Sequence, residues 1–199
     1  MRNLSMENKN LTEASYRELL LGCGSNWEKR VKLDGTTPDT FQNLTTLDYN
    51  KAHNPDVVFD LHAAFYTGET LPFADDTFDE IHAYEVLEHL GSQGDYRFFF
   101  HEFEEYWRIL KPGGFFCATV PTPISEWAFG DPSHTRIFHP YWITFLDQDS
   151  YAQVGKTAMS DFRHIYSANF KLITHDVTED ENTYIFVLQK KERKVWEKV

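Results

Sequence analysis

Leu19-Leu20-Leu21-Gly22-Cys23-Gly24-Ser25-Asn26 is an apolar run that breaks on a glycine turn. Such a run reads as a buried strand, and glycines at its end let the backbone come up against a bound cofactor with no side chain between. A turn built for a nicotinamide dinucleotide calls for a further glycine at position 27, where helix and strand must pack closely around the pyrophosphate. Bulky Trp27 stands there and counts against a dinucleotide. Asp48 closes the second apolar run, where a carboxylate can accept hydrogen bonds from both hydroxyls of a ribose; that favours an adenosine ligand without a 2′-phosphate. Asp60 closes the third, placed to accept from an adenine amino group with the Leu61 backbone beside the ring.

Other residues suggest chemistry, each with a plainer reading beside it. Cys23 is a thiol between two glycines, a position that often needs only a small side chain. Glu85, Glu88 and His89 form an acid/base cluster, or else Glu88 and His89 open a helix after the fourth strand while Glu85 neighbours the ligand. Asp75, Asp76 and Asp79 read as a polar turn entering a strand rather than a metal site. His134, in Gly130-Asp131-Pro132-Ser133-His134-Thr135-Arg136, joins a titratable imidazole to an aromatic-rich loop and is the candidate general base; the alternative is that it orders the loop. Asp131, His134 and His139 have a ligand-like spacing without cysteine support, and no metal is expected. Arg136 either clamps an acidic substrate group or pairs with Asp131.

These residues need a scaffold, and the text supplies one. Apolar runs at Glu18–Leu21, Asn43–Leu47, Asp56–Phe59, Glu80–Tyr84 and Phe115–Val120 read as strands, four of them followed by a glycine or an acid. In an open α/β sheet the ligand crevice lies beyond the carboxyl ends of the strands, so those residues converge. Asp95–Leu110 repeats Tyr96, Phe99, Phe100, Phe103, Trp107 and Leu110 at helical spacing, and Phe98–Phe100 belong to the core. Lys111-Pro112-Gly113-Gly114 stops that helix. Trp27–Leu33 suggests a short helix broken by Asp34-Gly35-Thr36-Thr37-Pro38. Residues 122–169 form a long irregular stretch rich in aromatic residues, and Lys171–Val177 with Tyr184–Gln189 closes the chain as an antiparallel pair.

The 199 residues suit one domain, and no run is apolar enough for a membrane span. A polar start, residues 1–15, with no secretion-type apolar stretch leads to the expectation of a cytoplasmic protein. A net charge of −12 argues against nucleic acid as a partner. The basic run 189–194 reads as a solvated tail, and Cys23 and Cys117 as buried reduced thiols.

Taken in order, Leu21-Gly22-Cys23-Gly24, Asp48, Leu71-Pro72-Phe73-Ala74-Asp75-Asp76-Thr77-Phe78-Asp79, Tyr84-Glu85-Val86-Leu87-Glu88-His89 and Arg108-Ile109-Leu110-Lys111-Pro112-Gly113-Gly114 resemble the type-11 branch of class I S-adenosylmethionine-dependent methyltransferases. The resemblance implies an α/β, Rossmann-like fold: a mostly parallel seven-stranded sheet with a reversed final strand and helices on both faces. It implies S-adenosyl-L-methionine as methyl donor and S-adenosyl-L-homocysteine as product. Gly22, Cys23, Gly24, Ser25 and Asn26 would hold the methionine end, Asp48 and Tyr49 the ribose, Asp60 and Leu61 the adenine, with Glu85 alongside. Asn26 stands where the family often has a small residue, and the first crossover is short. The expected division is a cofactor core at 16–121, a substrate-capping insert at 122–169 and the closing pair at 170–189. The expected function is in-line methyl transfer to a small-molecule, or other non-nucleic-acid, acceptor. Rivals are an aminopropyl transferase on the same fold, a nicotinamide-dependent oxidoreductase, and a catalytically silent S-adenosylmethionine-binding domain that acts through a protein partner.

Overall fold

The computed structural model describes residues 16–33 and 35–196. The polar start, 1–15, and Asp34 of the expected helix break lie outside the described residues. Seven strands form one sheet: β1 (Glu18–Leu21), β2 (Leu44–Asp48), β3 (Val57–Val58), β4 (Phe78–Tyr84), β5 (Leu110–Pro121), β6 (Phe170–Val177) and β7 (Thr183–Lys190). Their order is β3-β2-β1-β4-β5-β7-β6. The first five pair in parallel, and β7 runs antiparallel to both β5 and β6, which is the expected reversal. The order changes direction beside β1, so a crevice opens there beyond the strand ends.

The main core covers one face of the sheet. Leu19, Leu21, Ile81, Ala83, Phe116, Ala118 and Phe186 pack against α1 (Leu61–Thr67) and α2 (Tyr96–Ile109). Asp95 caps α2 by accepting from the Phe98 N–H at 3.1 Å, and Phe98, Phe99 and Phe100 are all buried as expected, whereas Tyr96, the first residue of the expected apolar face, is exposed. β5 starts at Leu110 rather than Phe115, because Leu110 already pairs with Phe78 and the Lys-Pro-Gly-Gly segment is an irregularity within the pairing.

The opposite face differs from expectation. Among the described residues it is covered by the irregular stretch 25–43, with no helix at Trp27–Leu33. The amides of Arg30 and Val31 donate to the Tyr84 hydroxyl, so they are spent on the sheet rather than on a helical ladder. Lys29 is drawn under the sheet, its Nζ 2.6 Å from Glu18 and 2.9 Å from Glu80, with His82 3.0 Å from Glu80. A helix through Trp27–Leu33 would give up these contacts.

Smaller details follow from the local contacts, two of them corrections. Glu88 and His89 do not begin an α-helix but lie in a single 3-10 turn, Leu87–His89. The acids Asp75, Asp76 and Asp79 form the polar turn anticipated, each held by a cation: Arg108 at 2.8 Å, Lys190 at 2.6 Å and Lys111 at 2.6 Å. The basic run is no free tail, for Lys190 is buried at the end of β7, Arg193 pairs with Glu104 and Lys194 with Asp149. The insert holds a short helix, α3 (Glu126–Gly130), and two 3-10 segments, Pro140–Leu146 and Gln148–Gln153.

Candidate active site

β1 delivers the chain to Gly22 and Gly24, both at positive φ (53° and 52°). Gly22 packs on Val86, where an added Cβ would lie 2.5 Å from a methyl group, so the close approach of the two turns requires glycine. The Gly24 N–H donates to Asp48 Oδ2 at 2.9 Å and thereby links the ends of β1 and β2. Asp48 Oδ1 accepts from the Asn50 N–H at 2.8 Å, and His53 Nδ1 lies 3.0 Å from Oδ2. Burial alone would raise this carboxyl, but the Asn50 and Gly24 amides and the His53 ring outweigh it and hold it below the usual carboxylate range. Asp48 is therefore an ionised acceptor at neutral pH.

One cleft of about 480 Å³ gathers Gly22, Gly24, Asp48, Tyr49, Asp60, Leu61 and Glu85, seven of the residues expected to bind the cofactor. Asp60 also caps α1, its Oδ1 accepting from the Ala63 N–H at 3.0 Å, so the start of that helix faces the cleft. Glu85 turns sharply at the end of β4 with φ 55°, held by its N–H to the Thr119 carbonyl at 2.9 Å.

Three residues of the glycine turn do not share this lining. Cys23 points the other way and packs with Leu20, Val31, Cys117 and Val187. Burial and then the Asp48 charge push its thiol up, which makes it a small filler rather than a nucleophile. Ser25 and Asn26 are exposed beyond the cleft wall.

Sequence reasoning missed His53, Phe59 and His62 in the lining. His53 lies just downstream of Asp48, a signal that could have been read, whereas His62 sits on α1, a seven-residue helix too short to show periodicity.

His89 and Ser133 also form part of the cleft wall. The His134 side chain is 7% exposed and lies behind that wall, its ring edge-on to His89 with centroids 4.5 Å apart. His139 is elsewhere, capping the Pro140–Leu146 turn, so Asp131, His134 and His139 do not form a set. Arg136 pairs with Glu102 rather than Asp131: its guanidinium is buried, 2.7 Å from Glu102 and 2.7 Å from the Leu87 carbonyl.

Residues 19–118, about half of the chain, match the model of the methyltransferase domain, type 11. The chain belongs to this methyltransferase family. No curated protein sequence matches it. Among solved structures, the methyltransferase resembles a SAM-dependent methyltransferase from Archaeoglobus fulgidus at 16% identity and TM-score 0.52, covering 89% of this chain and 87% of that one. It resembles one from Mesorhizobium loti at 15% identity and TM-score 0.52, covering 90% and 94%. It also resembles a Haloferax volcanii complex of the methyltransferase activator Trm112 and its companion chain, at 17% identity and TM-score 0.51, covering 90% and 84%. These likenesses are of fold. The family's cofactor is S-adenosyl-L-methionine, and the cleft fits it. An added Cβ on Gly24 meets nothing within 4 Å, so space is open up to the main chain of the turn. The lining acids Asp48, Asp60 and Glu85 suit a ligand with sulfonium and ammonium charges. Its volume lies in the usual range for small-molecule sites, roughly 300–1,000 Å³.

Proposed function

We propose that this methyltransferase methylates a small-molecule acceptor, holding the donor in the Gly22–Asp48–Asp60–Glu85 cleft and activating the acceptor at its His89–His134 wall. The observation that carries the reading is Asp48, ionised and fixed between the Gly24 and Asn50 amides at the mouth of the glycine turn. In this reading the glycine turn takes the methionine end, Asp48 with Tyr49 the ribose, and Asp60 with Leu61 the adenine. S-adenosylmethionine supplies a methyl already made electrophilic by its positively charged sulfur. The protein's part is then mostly alignment of the acceptor behind that methyl. A hydroxyl or ammonium acceptor must lose a proton, a role for His134, the general base suggested by the sequence, with His89 as the ring that reaches the cleft. The insert 122–169 caps the site and selects the acceptor, while the net charge of −12 disfavours nucleic acid. Among the described residues no helix is long and apolar enough to cross a membrane.

Ile124, Trp127 and Phe129 are 75%, 65% and 75% exposed, which favours a second reading: a silent donor-binding domain that docks a protein through α3. Incubation with donor and a panel of hydroxyl, amine and carbon acceptors separates the two. The enzyme reading expects release of S-adenosylhomocysteine with at least one acceptor, and a fall of about 10²–10⁴-fold in His134→Ala with donor affinity retained. Donor binding without turnover across the panel would favour the docking reading, and full activity in His134→Ala would remove that residue from the mechanism.

A further inference from the structure

The 3-10 turn after β4 directs Glu88 into the protein, where it is 2% exposed. Neither carboxylate oxygen of Glu88 has a hydrogen-bond partner among the described residues apart from a proton it can share with the Glu85 carboxyl. Native proteins rarely leave such groups unpaired without a missing ligand to account for them. The nearby guanidinium of Arg136 is already bonded to Glu102 and to the Leu87 carbonyl. The Glu88 carbonyl accepts from the amides of Thr135 and Arg136, at 2.9 and 3.2 Å, which staples the segment carrying His134 to the turn carrying Glu88.

The spacing is that of ligands around one ion. One ligand atom from each of Glu88, His89 and His134 lies within 4.8 Å of the others. His134 Nε2 and Glu88 Oε1 are 3.9 Å apart, too far for a hydrogen bond. That distance still lies inside the ~4.2 Å that two ligands, each about 2.1 Å from a metal, can span. His89 is also oriented: its Nδ1 lies 3.3 Å from the Ser133 carbonyl, which can only accept, so Nδ1 carries the proton and Nε2 keeps its lone pair. Ser133 is in turn anchored on Asp131, to which its hydroxyl donates at 2.6 Å.

We propose that Glu88, His89 and His134 bind a divalent transition-metal ion whose open position faces the donor cleft. Two imidazoles and one carboxylate, with no thiolate, suit zinc, manganese, cobalt or ferrous ions better than magnesium or calcium. His89 and Glu85 line the cleft, so the open position is within reach of the acceptor. The competing occupant is a proton: burial and then the charge of Glu85 push the Glu88 carboxyl up to about 8. A second cluster, Glu80, His82 and Cys117, makes a useful contrast, for Lys29 already supplies its positive charge.

The role of the ion in the reaction rests on the methyl-transfer reading; its binding does not. An acceptor hydroxyl drawn onto the ion releases its proton to water. Its oxygen lone pair then forms the new O–CH3 bond while the electron pair of the S–CH3 bond passes to sulfur, leaving S-adenosylhomocysteine. With the ion bound, His134 holds the metal and the proton passes to water, so the ion takes over the activating role given to the imidazole in the proposed function.

The test uses the full chain freed of metal by a chelator and titrated with Co2+ alone, read by visible absorption, with Zn2+ competition by calorimetry. S-adenosylmethionine is titrated separately into the same metal-free protein. The expected result is one Co2+ per chain, displaced by Zn2+, with affinity reduced at least 10-fold in Glu88→Gln and in His134→Ala while donor affinity stays within about twofold of wild type. Absence of saturable Co2+ binding by folded wild type, or equal affinity in both folded variants, would overturn the site. Loss of donor binding with Co2+ binding intact would instead count against the methyl-transfer reading and leave the metal site standing.

Discussion

Arg136→Leu is expected to lower the unfolding free energy by about 3–5 kcal/mol, the usual cost of breaking a buried ion pair from one side. The Arg136 and Glu102 side chains are 1% and 0% exposed, and their 2.7 Å contact is supplemented by the bond from Arg136 Nε to the Leu87 carbonyl. Burial already raises the Glu102 carboxyl against the opposing pull of Arg136, so removing the guanidinium leaves a buried acid without its counter-charge. The guanidinium also sits 5.8 Å from the Phe98 ring centre and 6.0 Å from that of Trp142, joining α2 to the insert. Urea unfolding of the two single variants and of Arg136→Leu/Glu102→Leu measures the effect. The double variant should recover most of the loss, since well-packed apolar replacements of buried pairs are often neutral. A single-variant loss below about 1 kcal/mol would contradict this account of how the insert is held.

The second large effect is on the donor. Asp48→Ala is expected to weaken S-adenosylmethionine binding by about 2–4 kcal/mol, roughly 30- to 900-fold, because the proposed placement gives Asp48 two charge-assisted hydrogen bonds to the ribose. The substitution also releases the Gly24 and Asn50 amides from their shared acceptor and leaves His53 without its carboxylate partner. Calorimetry on the folded variant checks the result, and unchanged affinity would remove Asp48 from the donor site.

Much of the scaffold was legible because it depends on local rules. The strand ends at Leu21 and Asp48 and the span of α2 follow from glycine placement, terminal acids and helical spacing. The seven-stranded sheet with its reversed strand was implied by the resemblance of the combined motifs, which the family match supports, whereas the order of the strands came only with the structure. What escaped depends on distant partners. The stretch 25–43 lacks a helix because Lys29 and the amides of Arg30 and Val31 bond to Glu18, Glu80 and Tyr84, none of which its own sequence reveals. Likewise, nothing near Arg136 names Glu102, and nothing near His134 names Glu88. Both insert residues meet residues much earlier in the chain, brought together by the turn after β4.

The most direct test of the central claim is calorimetric titration of the protein with S-adenosylmethionine and, separately, with NAD. The cleft as described predicts one S-adenosylmethionine bound per chain at micromolar affinity and no heat with NAD. Failure to bind S-adenosylmethionine, or comparable binding of NAD, would contradict it.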